Sequence, residues 1–234
     1  MEPVSIQASK SWSAVNLAQR ALLSCGIISS LFYVAINIIT PSHFPGYDIA
    51  SQTVSELSAI DAPSRPLWVY LCNFYSVLVM AFGFGIWLCA YKNRRLRIVA
   101  VVMLIYGITG FFWPPMHLRE VIAAGGGTFT DTLHIAFAIG TVILMLLMIG
   151  LAASALGQRF RIYSIISIIL FMMFGTLTAR ESPGISTNHP TPWIGIWERI
   201  NIGMFLLWVI VFAAALLRSD RKYSNSDGPW TVTK

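Results

Sequence analysis

Six long apolar runs, each about 20 residues long, limit what this chain can become more than any other feature. They cover residues 21–40, 67–91, 98–116, 133–156, 162–179 and 193–217. A helix rises about 1.5 Å per residue, so a run of this length crosses a hydrocarbon layer about 30 Å thick. Membrane barrels use shorter segments of alternating polarity. A helix also satisfies its own backbone hydrogen bonds, which hydrocarbon requires. Charged residues make up only 11% of the chain, where a soluble domain carries about 25%. The expected fold is therefore all-α, an integral membrane bundle of six transmembrane helices. Residues 1–20 form an N-terminal segment, 21–218 the transmembrane domain, and 219–234 a disordered tail.

Lys and Arg set the orientation. Lys10, Arg20, the Lys92–Arg97 cluster, Arg159, Arg161, Arg218, Arg221, Lys222 and Lys234 share one side, while Arg65, Arg119, Arg180 and Arg199 occupy the other. Excess positive charge stays inside, so both termini are expected in the cytoplasm of a cell bounded by this inner or plasma membrane. The net charge of +6 falls in clusters between spans. Membrane lipids are the expected partners, and nucleic acid is not. The first 20 residues are polar and the apolar run begins at Ala21, as in an uncleaved anchor. Cys25, Cys72 and Cys89 lie within apolar runs and read as packing residues.

The chemically versatile groups gather on the outer side: His43, His117, His134 and His189, with Asp48, Glu56, Asp61, Glu120, Asp131, Glu181 and Glu198. Ionisable residues at membrane depth are costly and are candidates for function. Residues 48–59 read as a short helix with Asp48 at its N-cap, and Gln52 and Glu56 on one face. His117 with Glu120, and Asp131 with His134, are each spaced three apart, which places each pair on one helical face. Two imidazoles and two carboxylates form a possible metal set, although Thr128-Phe129-Thr130-Asp131 also fits a capping box that would occupy Asp131. No cofactor is expected. Glu198 and Arg199 fall about two turns inside the last run, and adjacent helical residues diverge by about 100°. Their expected partners lie on other helices: Glu56 or Asp131 for Arg199, and His134, His117 or Arg180 for Glu198.

Ser55-Glu56-Leu57, the His117 and Asp131/His134 region, and Gly195-Ile196-Trp197-Glu198-Arg199-Ile200 resemble the six-helix bacterial and archaeal membrane family catalogued as domain of unknown function 998. The resemblance covers about residues 18–218, and the Trp-Glu-Arg element is its most specific part. It implies a fold and a membrane location, not a reaction. It also implies that Glu56, His134, Glu198 and Arg199 belong together. Membrane ceramidase-like hydrolases differ, because their paired histidines four apart and seventh span are missing here.

The favoured functional reading is an outer polar pocket of Glu56, His117, Glu120, Asp131, His134, Glu198 and Arg199 that binds a lipid headgroup or small ligand without catalysis. The alternatives are a membrane-embedded hydrolase or transferase acting on a lipid, with or without metal, and a small-solute transporter. The inner halves of the spans hold almost no ionisable residues, which weighs against an ion relay.

Overall fold

The computed structural model describes residues 4–226 apart from Lys92 and Asn188, with side chains described from residue 17 to residue 219. The described residues are mostly helical: α1 (Val4–Ile39), α2 (Arg65–Cys89), α3 (Arg94–Phe111), α4 (Arg119–Ala123), α5 (Phe129–Ala155), α6 (Gln158–Glu181), α7 (Pro183–Thr187) and α8 (Ile194–Ser226). Two 3-10 turns, Thr40–His43 and Val54–Ser58, lie between α1 and α2.

Each long helix packs against its neighbours in sequence, and α8 returns to pack against α1 as well as α6. The six long helices thus close into a ring in chain order. Side chains turned into the ring form one core that includes Phe82, Phe171, Phe205, Trp208 and Phe212. The Trp208 and Phe212 rings stack with centroids 5.0 Å apart. Trp208 Nε1 donates to Ser164 Oγ at 3.1 Å, and Asn201 Nδ2 donates to the Phe171 carbonyl, so two hydrogen bonds tie α8 to α6. Such bonds contribute about 1 kcal/mol or less each within a bilayer, where close packing carries most of the association. Small residues permit that packing. A Cβ on Gly85 would lie 2.9 Å from Leu23 N, and one on Gly26 would lie 2.9 Å from the Phe82 ring, so α1 and α2 meet across glycine.

The ring wears its apolar side chains outward. Leu31, Ile38, Tyr70, Phe74, Ile139, Ile143, Ile166 and Ile169 are all exposed, a surface that water would penalise over so wide an area. Among the described residues, five segments are long and apolar enough to cross a membrane: Leu17–His43, Arg65–Cys89, Phe129–Ala155, Gln158–Thr187 and Ile194–Ser219. The protein is a multi-pass, all-helical membrane protein.

Two sequence expectations change, at the third run and at the tail. The third run was expected to be helical to residue 116, but α3 ends at Phe111, because Pro114 and Pro115 disfavour helical backbone before them. It begins at Arg94, where Asn93 Oδ1 accepts the Arg95 and Leu96 N–H groups at 3.1 and 3.3 Å. The expected N-terminal segment is helical from Val4. The tail expected to be disordered from residue 219 is helical as far as Ser226; residues 1–3 and 227–234 lie outside the described residues.

Because the long helices alternate in direction, the two short connections lie at one end of the ring. The three long ones, residues 40–64, 112–128 and 182–193, lie at the other. There they interlock into a polar cap.

Candidate functional site

The first connection supplies the frame of the cap. The exposed Asp48 accepts Ala50 N–H at 2.9 Å and the Ser51 hydroxyl at 2.8 Å; those bonds hold its carboxyl below the usual range. Residues 48–59 are therefore not the single helix expected. The Asp48 turn uses its carboxylate locally, and a separate 3-10 helix starts after Thr53. Thr53 and Glu56 form a reciprocal capping box there, which satisfies N–H groups that a helix start leaves unpaired.

Glu56 is fully buried. Both of its oxygens are saturated: Thr53 N and Oγ1 donate at 2.7 and 2.9 Å, Gln52 Nε2 at 3.3 Å, and Arg119 Nε and Nη2 at 2.6 and 2.7 Å. A buried carboxylate is tolerable only with such compensation. The hydrogen bonds to Glu56 in turn raise the pKa of Arg119 above its ordinary value. Arg119 also donates to the Ser51 carbonyl at 2.8 Å and to Thr191 Oγ1 at 3.1 Å, while Thr191 Oγ1 donates to the same carbonyl at 2.9 Å. One guanidinium thus joins all three long connections.

The start of α8 completes the layer. Gly195 N–H donates to the Ala50 carbonyl at 2.9 Å. Arg199 Nη1 donates to the carbonyls of Ile49 and Gly195, both at 3.0 Å, and Nη2 to Tyr47 Oη at 2.8 Å. The Tyr47 hydroxyl donates to the Thr53 carbonyl at 2.7 Å. Burial pushes the Tyr47 phenol up to about 12, against an opposing pull from Arg199. Glu198 Oε2 accepts Val54 N–H at 2.5 Å, and its carboxylate also interacts with the Ser55 hydroxyl. The expected partners of Glu198 and Arg199 are therefore replaced by neutral groups of the first connection. Both residues sit within the first two turns of α8.

The histidines part company. His117 donates its N–H to Asp131 Oδ1 at 2.7 Å and places Nδ1 2.9 Å from Oδ2, while Asp131 also holds the capping box with Thr128. His134 is buried, with Nδ1 2.8 Å from the Pro114 carbonyl and Nε2 3.1 Å from Ser55 Oγ. The Trp113 ring stands edge-on to His134, centroids 5.3 Å apart.

A family model described as "Protein of unknown function (DUF998)" matches residues 27–215. The chain belongs to this family. No curated protein matches the chain, and no solved structure does so either. The matched DUF998 segment runs from within α1 to within α8, so it contains the whole cap.

Of the site residues expected in this DUF998 chain, Glu56, His134, Glu198 and Arg199 meet around residues 47–56. His117 and Asp131 pair beside them. Glu120 does not join: Leu118 is extended (φ −61°, ψ 150°) and begins α4, so His117 lies outside the helix that carries Glu120, and Glu120 faces outward. Among the described residues, no three His, Cys, Asp or Glu side chains form a possible metal site. Arg119, Tyr47 and Thr191 were not foreseen as site residues. Arg119 carried one signal: it is among the few basic residues on the expected outer side. Thr53-Val54-Ser55-Glu56 carried another, the capping-box spacing also seen at Thr128.

Proposed function

We propose that this is a plasma-membrane protein with six spans and cytoplasmic termini, whose cap faces outward and binds a zwitterionic lipid headgroup or a small ligand of like charge. The observation that carries the binding reading is the state of Glu198 and Arg199. They are neighbours of opposite charge, yet neither forms a salt bridge among the described residues, where the pairs are Arg119 with Glu56 and His117 with Asp131. Glu198 is met by one backbone N–H and a hydroxyl, and Arg199 by carbonyls and a phenol. Such charges are expensive to hold near a bilayer. A ligand carrying both an ammonium and a phosphate complements them without disturbing the Glu56–Arg119 pair.

The sixth span of this reading is α3. It is 18 residues long and opens on Arg94, Arg95 and Arg97. Val101, Ile105, Ile108 and Phe111 on it are exposed, which suits a lipid-facing surface. Arginines at one end of a span can reach the interface. The basic clusters at the end with short connections favour the cytoplasm for that end.

Native mass spectrometry of the protein extracted in mild detergent tests the binding reading. Zwitterionic phospholipid retained by the wild type and lost in both Glu198→Gln and Arg199→Gln is the expected result. Retention unchanged in both variants, or a wild type that carries no lipid, would count against it.

A further inference from the structure

We propose that Ser55 and His134 form a nucleophile and general-base pair that hydrolyses a carboxylic ester of a lipid held at the cap. The lipid as substrate class rests on the binding reading above; the reactivity of Ser55 does not.

The orientation of the hydrogen bonds is the starting point. A carbonyl oxygen only accepts, so the Pro114 carbonyl fixes the His134 proton on Nδ1. Nε2 then presents its lone pair to Ser55 Oγ, 3.1 Å away. Toward Nε2 the serine hydroxyl can only donate, the sense required for activating a serine nucleophile, and it shares its single proton between Nε2 and the Glu198 carboxylate that it also meets. An oriented histidine needs a partner on its far nitrogen, and the backbone carbonyl fills that place at 2.8 Å. His134 cannot swing away easily, since it is buried at the start of α5 and flanked by Trp113.

Access is the second observation. Across residues 53–59 every residue is buried except Ser55. The 3-10 helix thus leaves Ser55 as the one partly exposed residue of this stretch. The preceding residue, Val54, binds Glu198, so a headgroup amine at Glu198 would bring the glycerol esters of the same lipid toward Ser55.

The reaction balances without a metal or redox partner. Ser55 Oγ bonds to the ester carbonyl carbon while its proton passes to His134 Nε2. The bond from that carbon to the alcohol oxygen breaks, and the alcohol leaves with the proton from Nε2. Water, losing a proton to Nε2, then cleaves the acyl–Ser55 ester. Carboxylic acid is released and Ser55 regains its proton.

Full-length protein in nanodiscs is treated with a fluorophosphonate probe and digested, and the peptide carrying Ser55 is examined by mass spectrometry. A covalent adduct on Ser55 is expected, absent in Ser55→Ala and formed at least about 100-fold more slowly in His134→Gln, in keeping with loss of a general base. Hydrolysis of a p-nitrophenyl ester should fall in parallel. Wild-type protein without an adduct on Ser55 overturns the proposal, even should His134→Gln fail to fold. So does a Ser55→Ala protein that hydrolyses the ester at the wild-type rate. Lipid retained while Ser55 stays inert leaves the binding reading standing, whereas Ser55 labelled in protein that holds no lipid removes the lipid reading alone.

Discussion

Arg119 holds both carboxylate oxygens of Glu56, at 2.6 and 2.7 Å, across 63 residues of sequence. The two residues come from different connections, so this pair fastens one loop to another rather than a helix to itself. Glu56 is fully enclosed, and removing one partner of such a pair leaves a stranded charge. Glu56→Gln is therefore expected to lower stability by about 3–5 kcal/mol. A double variant, Glu56→Gln with Arg119→Met, should recover part of that loss. Equilibrium unfolding in detergent provides the comparison; a double variant no better than the sum of the singles contradicts the pairing.

Arg199 donates to carbonyls and a phenol in several directions, a spread that a lysine ammonium cannot cover. Arg199→Lys keeps the charge, yet should cost about 1–2 kcal/mol through the unmet acceptors. Hydrogen exchange at residues 47–53 should rise in this variant, with exchange in α2 and α3 unchanged.

Two glycines of α8 should respond in opposite ways. A Cβ on Gly195 would run into the carbonyl oxygens of Ile49 and Gln52, both rigid backbone, whereas one on Gly203 meets nothing within 4 Å. Gly195→Ala should cost about 1–3 kcal/mol or more as the loop is pushed off α8. Gly203→Ala should be neutral, or gain up to about 1 kcal/mol from helix propensity. Thermal melting of the two variants side by side checks this.

Alkaline pH should loosen the cap through Tyr47. Its phenol lies at about 12 in the folded protein against an ordinary value of 10.0, so between those values the folded state binds more protons than the unfolded one. Stability is full below pH 10 and declines as pH rises toward 12. Tyr47→Phe should flatten that decline, measured as the unfolding midpoint from pH 9 to pH 12. An identical slope in both proteins would assign the alkaline loss to other groups.

The helices were legible because hydrophobic length is a local property, written in consecutive residues. The shortening of α3 was also written locally, in Pro114 and Pro115. The cap was only half legible. Glu56, His134, Glu198 and Arg199 stood out as polar groups in an apolar setting, but their partners are mostly backbone groups: Val54 N–H, the Ile49 and Gly195 carbonyls, and the Pro114 carbonyl. Backbone groups carry no residue identity, so no pattern announces them. Glu120 was misplaced because a spacing of three implies a shared face only where both residues lie in one helix, and Leu118 interrupts it. Ser55 appeared as a neighbour of Glu56, without any sign that His134 would reach it from 79 residues away.

The return of α8 to α1 has a consequence in time. Ile49 emerges from the ribosome 150 residues before Arg199, the residue that binds its carbonyl. At roughly 5–20 residues per second, the delay is on the order of ten seconds. Throughout that interval the loop that becomes the cap has no α8 to dock on, and Val54 N–H has no carboxylate to meet. Helix α8, made after the other five long helices, is thus the one that finishes the first loop, and any truncation upstream of Glu198 should yield an inserted but uncapped protein.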